Sequence, residues 1–123
     1  MELEARTAGH QDTVRASDRR NGATLALKTG DSLNVQWSVL NPDKGGSILD
    51  VTLHLSLNRN AKSDADTIYE SAFVMDFEPG SKGSAELLIQ VPSAGSYVLK
   101  IETIGAAAKL GREYSATIDV KVQ

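Results

Sequence analysis

Apolar and polar residues alternate in short runs along most of this chain, and turn-forming residues bound each run. Leu25 and Leu27 alternate with Thr24, Ala26 and Lys28 before a turn at Thr29-Gly30-Asp31. Leu33, Val35, Trp37 and Val39 then share one face, with Asn34, Gln36 and Ser38 on the other. That run stops at Asn41-Pro42-Asp43-Lys44-Gly45-Gly46, where proline fixes φ and the glycines permit positive φ. Leu49, Val51, Leu53, Leu55 and Leu57 form the cleanest alternation. A polar loop over residues 58–66 leads into 68–77, where looser alternation suits an edge or sheet-crossing strand. After a turn at 78–83, three inward sets follow: Ala85, Leu87, Ile89 and Val91; Tyr97, Leu99 and Ile101; and Tyr114, Ala116, Ile118, Val120 and Val122. Residues 105–112 loop out between the last two. The pattern predicts an all-β chain, an antiparallel β-sandwich of about seven to eight strands over residues 24–123. Residues 1–23 are expected to form an N-terminal loop or edge strand.

With 123 residues, 41% of them hydrophobic and 24% charged, the chain has the size and balance of one globular unit. Its net charge of −3 comes from acids and bases mixed along the sequence, so no basic stripe points to nucleic acid. There is no cysteine, which removes disulfides, thiolate metal sites and cysteine nucleophiles. The first residues lack the apolar run of a secretory signal, and no segment is long enough to insert in a membrane.

Candidate chemistry is sparse. Gly30-Asp31-Ser32-Leu33 spells the nucleophile motif of the GDSL hydrolases, but that chemistry needs a strand-to-helix turn and a trailing Asp-x-x-His. Neither His10 nor His54 supplies one, so catalysis by Ser32 is not expected and the chain reads as a non-enzyme. His54 belongs on the polar face of its strand. The richest oxygen cluster is Asn58, Asn60, Asp64, Asp66 and Glu70, a candidate calcium loop. Against it, Arg59 and Lys62 add positive charge, and Asn, Asp and Ser are what ordinary turns use. No other cofactor is indicated. Trp37, lying among Leu33, Val35 and Val39, is expected in the core rather than as a sugar platform. Tyr69, Phe73 and Phe77 are the better candidates for an exposed apolar contact.

The segment from Pro92 to Ile101 contains Gly95-Ser96-Tyr97-Val98-Leu99, a turn feeding a strand led by a tyrosine. Gly-x-Tyr-x-Leu patterns of this kind mark immunoglobulin-like modules, so the expected sandwich is immunoglobulin-like. Together with Gly30-Asp31, the Leu53 to Leu57 strand running into an Asn/Asp loop, and Pro79-Gly80, it resembles the CARDB family across residues 24–122. The Gly-x-Tyr strand and the closing Tyr114-x-x-x-Ile118 strand also resemble the prepeptidase C-terminal domain. Both resemblances imply an extracellular or periplasmic, bacterial, non-catalytic module used as a spacer or for adhesion. The expected partner is another protein or a second copy, met through the loops 41–46, 58–66 or 105–112, or by pairing of an edge strand, either the last strand or residues 68–77. A competing expectation is a calcium- or carbohydrate-binding accessory domain of a secreted enzyme.

Overall fold

The computed structural model describes residues 2–9, 12–20, 23–41, 46–59, 67–80, 82–91, 93–107 and 111–123. Nine strands account for most of them: β1 (Glu2–Ala8), β2 (Thr13–Ser17), β3 (Ala23–Leu27), β4 (Ser32–Leu40), β5 (Ile48–Asn58), β6 (Thr67–Phe77), β7 (Lys82–Gln90), β8 (Gly95–Ile104) and β9 (Ser115–Val122). They form two sheets, one ordered β2-β1-β4-β7 and the other β3-β9-β8-β5-β6. Pairing is antiparallel except between β3 and β9, which run parallel. The all-β sandwich read from the alternation is present, with more strands than expected because the N-terminal segment contributes a hairpin. Among the described residues no helix is long and apolar enough to cross a membrane.

Period-two alternation places the core. Leu3 and Ala5 of β1, Leu33, Val35, Trp37 and Val39 of β4, and Ile89 of β7 line one sheet's inner face. Leu25, Leu53, Leu55, Leu57, Tyr97, Leu99, Ile101, Ile118 and Val120 line the other. Burying these faces against each other is the main favourable term in forming the sandwich. Trp37 sits in this core with 5% exposure, as its neighbours in sequence implied.

Three local expectations change. Within the N-terminal segment the edge strand is β2, whereas residues 2–8 form an inner strand with β2 on one side and β4 on the other. The last strand is also interior, held between β3 and β8, so it is closed to pairing with a partner. Finally, the alternation of β5 breaks at its start: Ile48 is buried and Leu49 is 51% exposed. The cause is a register shift between Ile48 and Val51, where Asp50 takes φ 56°. Aspartate tolerates that left-handed conformation better than most residues, and the Asp50 N–H donates to Asp76 Oδ1 at 2.8 Å to hold it.

The tyrosine motif makes the corner between the sheets. Gly95 has φ 149°, a conformation that glycine adopts without strain, and it delivers Tyr97 into the core with 1% exposure. The Tyr97 hydroxyl turns back and donates to the Ser93 carbonyl at 2.6 Å. Arg59 covers the same corner, donating to Ser93 Oγ at 2.7 Å and lying 5.8 Å from the centre of the Tyr97 ring. This is the tyrosine-corner arrangement of Greek-key sandwiches.

Two of the loops expected to meet a partner are held by bonds to the fold. Asn41 is fully buried; its Nδ2 donates to the Gly46 and Phe77 carbonyls, both at 3.1 Å, and its own carbonyl accepts from the Gly80 N–H at 2.8 Å. The turn after β8 wraps around the Glu113 carboxylate, which accepts from the N–H groups of Gly105 (2.9 Å), Ala106 (3.2 Å) and Ala107 (3.0 Å) and from the Thr103 hydroxyl (2.7 Å). Residues 42–45 and 108–110 lie outside the described residues. Burial alone would raise the Glu113 pKa, but the four donors, led by Ala107 N–H and then the Thr103 hydroxyl, outweigh it and hold the carboxyl below its ordinary value.

Two outcomes follow. Tyr97→Phe keeps the ring but leaves the Ser93 carbonyl without its donor, so it should cost about 1–2 kcal/mol in urea unfolding. Because the folded-state pKa of Glu113 is depressed, its contribution is present above the unfolded pKa and disappears as pH falls through the folded one. The stability gap between wild type and Glu113→Gln should therefore be widest near neutral pH and shrink on acidification, read from urea midpoints across a pH series.

Candidate functional site

Five strands face four, and the mismatch leaves β6 incompletely covered. Its registers with β5 pair Leu57 with Tyr69, Leu55 with Ser71, Leu53 with Phe73 and Val51 with Met75, so these four β6 residues point to the inner side. The other sheet ends at β7, which closes over only part of them. At one end the seam is tight: Phe77 is 1% exposed, and a Cβ on Gly83 would stand 3.2 Å from Met75 Cε and 3.4 Å from Phe77. Towards the middle it opens. Phe73 is 42% exposed although it faces inward, with its ring centre 6.1 Å from that of Trp37. On the same inner side, Ser71 Oγ is buried without a hydrogen-bond partner.

The outer faces of the two flanking strands each carry an exposed apolar residue, on opposite sides of the sandwich. Val74 of β6 is 68% exposed and Leu88 of β7 is 65% exposed. Isolated exposed apolar residues need no explanation, but Phe73 is exposed while facing inward at the open seam, and Val74 follows it on the outer face of the same edge strand. Of the contacts expected from sequence, Phe73 is on this surface, Tyr69 is half-buried beside it, and Phe77 is corrected to the core. Val74 and Leu88 went unnoticed. Their signal is the consecutive apolar triplets Phe73-Val74-Met75 and Leu87-Leu88-Ile89, which place a hydrophobic residue on a strand face that alternation reserves for polar ones.

The remaining candidates are dispersed. Of the proposed calcium ligands, Asn60, Asp64 and Asp66 lie outside the described residues. Asn58 Oδ1 accepts from the Thr67 hydroxyl at 2.7 Å, which ties the end of β5 to the start of β6. Glu70 Oε1 lies 2.8 Å from His54 Nε2, and Glu102 Oε1 lies 3.2 Å from His54 Nδ1. Lys100 Nζ extends the row, 3.0 Å from Glu102 Oε2. The imidazole thus sits between two carboxylates on opposite sides of its ring, a ladder joining β6, β5 and β8. Among the described residues no group of His, Asp or Glu side chains converges as metal ligands would. Ser32 begins β4 directly after the turn in which the Asp31 N–H donates to the Lys28 carbonyl at 3.0 Å, so the strand-to-helix geometry of a hydrolase nucleophile is not formed there.

No protein-family model matches the chain, and no curated protein matches it. Among solved structures it is similar to a family 123 glycoside hydrolase from Clostridium perfringens, studied for hydrolysis of glycolipid glycans, with TM-score 0.56 and 16% identity over 98% of this chain. It is also similar to the N-terminal domain of PorA, with TM-score 0.46 and 12% identity over 97% of each chain. The chain spans 27% of the length of the glycoside hydrolase. At that identity the likeness is one of fold: a β-sandwich that a much longer protein carries as one part.

Proposed function

We propose that this chain is a non-catalytic accessory β-sandwich module that makes protein contacts through the open flank between β6 and β7. The observation that carries the reading is the exposure of the inward-facing Phe73, next to exposed Val74 on the edge strand β6, with Leu88 exposed on the edge strand β7. Water-facing apolar side chains along unpaired edge strands are what a docking surface presents, and a rigid sandwich holds them in place without any chemistry of its own. The glycoside hydrolase likeness supports the accessory role, since there a similar fold is about a quarter of the chain. The described polar groups support it as well. His54, Glu70 and Glu102 are spent on a cross-strand ladder and Glu113 on a turn, rather than aimed together into a cleft.

If these apolar residues serve contact rather than folding, removing them should leave the fold intact. Val74→Thr with Leu88→Thr puts a β-branched, strand-favouring residue at both positions and is expected to change unfolding free energy by no more than about 0.5 kcal/mol. A loss of more than about 2 kcal/mol would assign the side chains to the fold and overturn the reading. Two further results would also overturn it: turnover of chromogenic esters or glycosides abolished by Ser32→Ala, or a melting temperature that rises with calcium and falls back with chelator. The latter would make residues 58–70 a cation site.

A further inference from the structure

Resting on that reading, we infer that the occupant of the flank is a second copy of this chain, added by antiparallel pairing of β6 with β6 about a two-fold axis through Ala72. Of the four sheet edges, β6 is the least protected. The edges β2 and β3 have five residues each, β2 carries Arg15, and β7 has nine residues. β6 has eleven residues, with no lysine, arginine or proline among them. Its free side therefore presents a long row of backbone donors and acceptors, with Glu70 and Asp76 its charged residues and the register shifts against β5 confined to its two ends.

The sequence of β6 also selects one register. Side chains directly opposite in an antiparallel pair lie on the same face, so the inner residues of two copies meet only when the paired numbers have equal parity. Centring the axis on Ala72, the middle residue of the strand, pairs all eleven positions: Thr67 with Phe77, Ile68 with Asp76, Tyr69 with Met75, Glu70 with Val74 and Ser71 with Phe73. No acid faces an acid. Moving the axis to Phe73 would set Glu70 against Asp76 twice, and like charges directly opposite are destabilising. The chosen register joins two five-stranded sheets into one and places Tyr69, Phe73 and Met75 of each copy over the gap that the shorter sheets leave. Ala72, exposed and small, allows close approach at the axis.

The absence of cysteine makes the test direct. Directly opposed Cα atoms are about 4.5–5.5 Å apart, within the range a disulfide bridges. Ala72→Cys should therefore form a covalent dimer on mild oxidation. In Val74→Cys the two sulfur-bearing residues would be offset by four positions, about 13 Å along the strands, and should not cross-link. Wild type should show a concentration-dependent monomer–dimer equilibrium in sedimentation velocity. Val74→Lys places a base opposite Glu70 in both symmetric pairs and Val74→Glu an acid, so the glutamate variant should dissociate at least several-fold more readily than the lysine variant. A wild type that stays monomeric over a roughly hundredfold concentration range, with no cross-linking of Ala72→Cys, overturns the self-pairing. So does a dimer that instead cross-links through Leu88→Cys, or one in which Lys and Glu at 74 act alike. If the Thr double variant is nonetheless fully stable, the accessory reading stands with a different protein on the flank; if that variant unfolds, the reading itself has failed.

Discussion

The bond from the Tyr97 hydroxyl to the Ser93 carbonyl sits where the chain leaves one sheet and enters the other. A sandwich needs such crossings, and each one brings polar backbone close to the core, where an unsatisfied carbonyl is costly. Tyr97 answers with one side chain: its ring fills the core and its hydroxyl satisfies the corner. Gly95 supplies the backbone angle that lets the strand begin there. The order of β8 between β9 and β5, and with it the registers that align Leu99 with Leu57 and Ile118, depends on entry at this point.

Beyond the corner, the shape follows from unequal layers. Four strands cannot cover five, and the strand left over is β6. Its inner residues carry the marks of partial cover: a buried phenylalanine at one end, a half-exposed one in the middle, and beyond that a serine hydroxyl with no partner. On the opposite flank the described residues are more closely covered. There Ala16 of β2 is buried, and Leu25 and Leu27 of β3 are closed over. Gly9 belongs to this tighter side, since a Cβ there would collide with Leu27 Cδ2. The two flanks of one sandwich thus differ in kind, one packed and one presented.

Alternation made most of this architecture legible. Leu33 to Val39, Leu53 to Leu57 and Ala116 to Val122 read as strands because one face of each is dry and the other wet, and that contrast is local. What could not be read depends on partners distant in sequence. Leu3 and Ala5 look like any short apolar pair until β4 is laid beside them, and Leu49 fits a perfect alternation until the bend at Asp50 rotates it outward. The same limit applies to the site. Phe73 was recognisable as loosely patterned, but its exposure arises from where β7 stops, which no property of β6 encodes. The oxygen-rich residues drew attention by type, whereas Asn58 and Glu70 are engaged in joining strands.

The parallel pairing of β3 with β9 has a mechanical meaning. In a hairpin, tension opens hydrogen bonds one after another from the free end. In the β3–β9 pair, a pull that draws the start of β3 away from the end of β9 runs along both strands in opposite senses. It must strain the whole ladder from Ala23–Ile118 to Leu27–Val122 at once. The bonds from Gln123 N–H to the Leu27 carbonyl and from Thr29 N–H to the Gln123 carbonyl extend that ladder past the strand ends. Loaded in that direction, the β3–β9 pair would act as a shear clamp and resist a pull that would peel a hairpin apart.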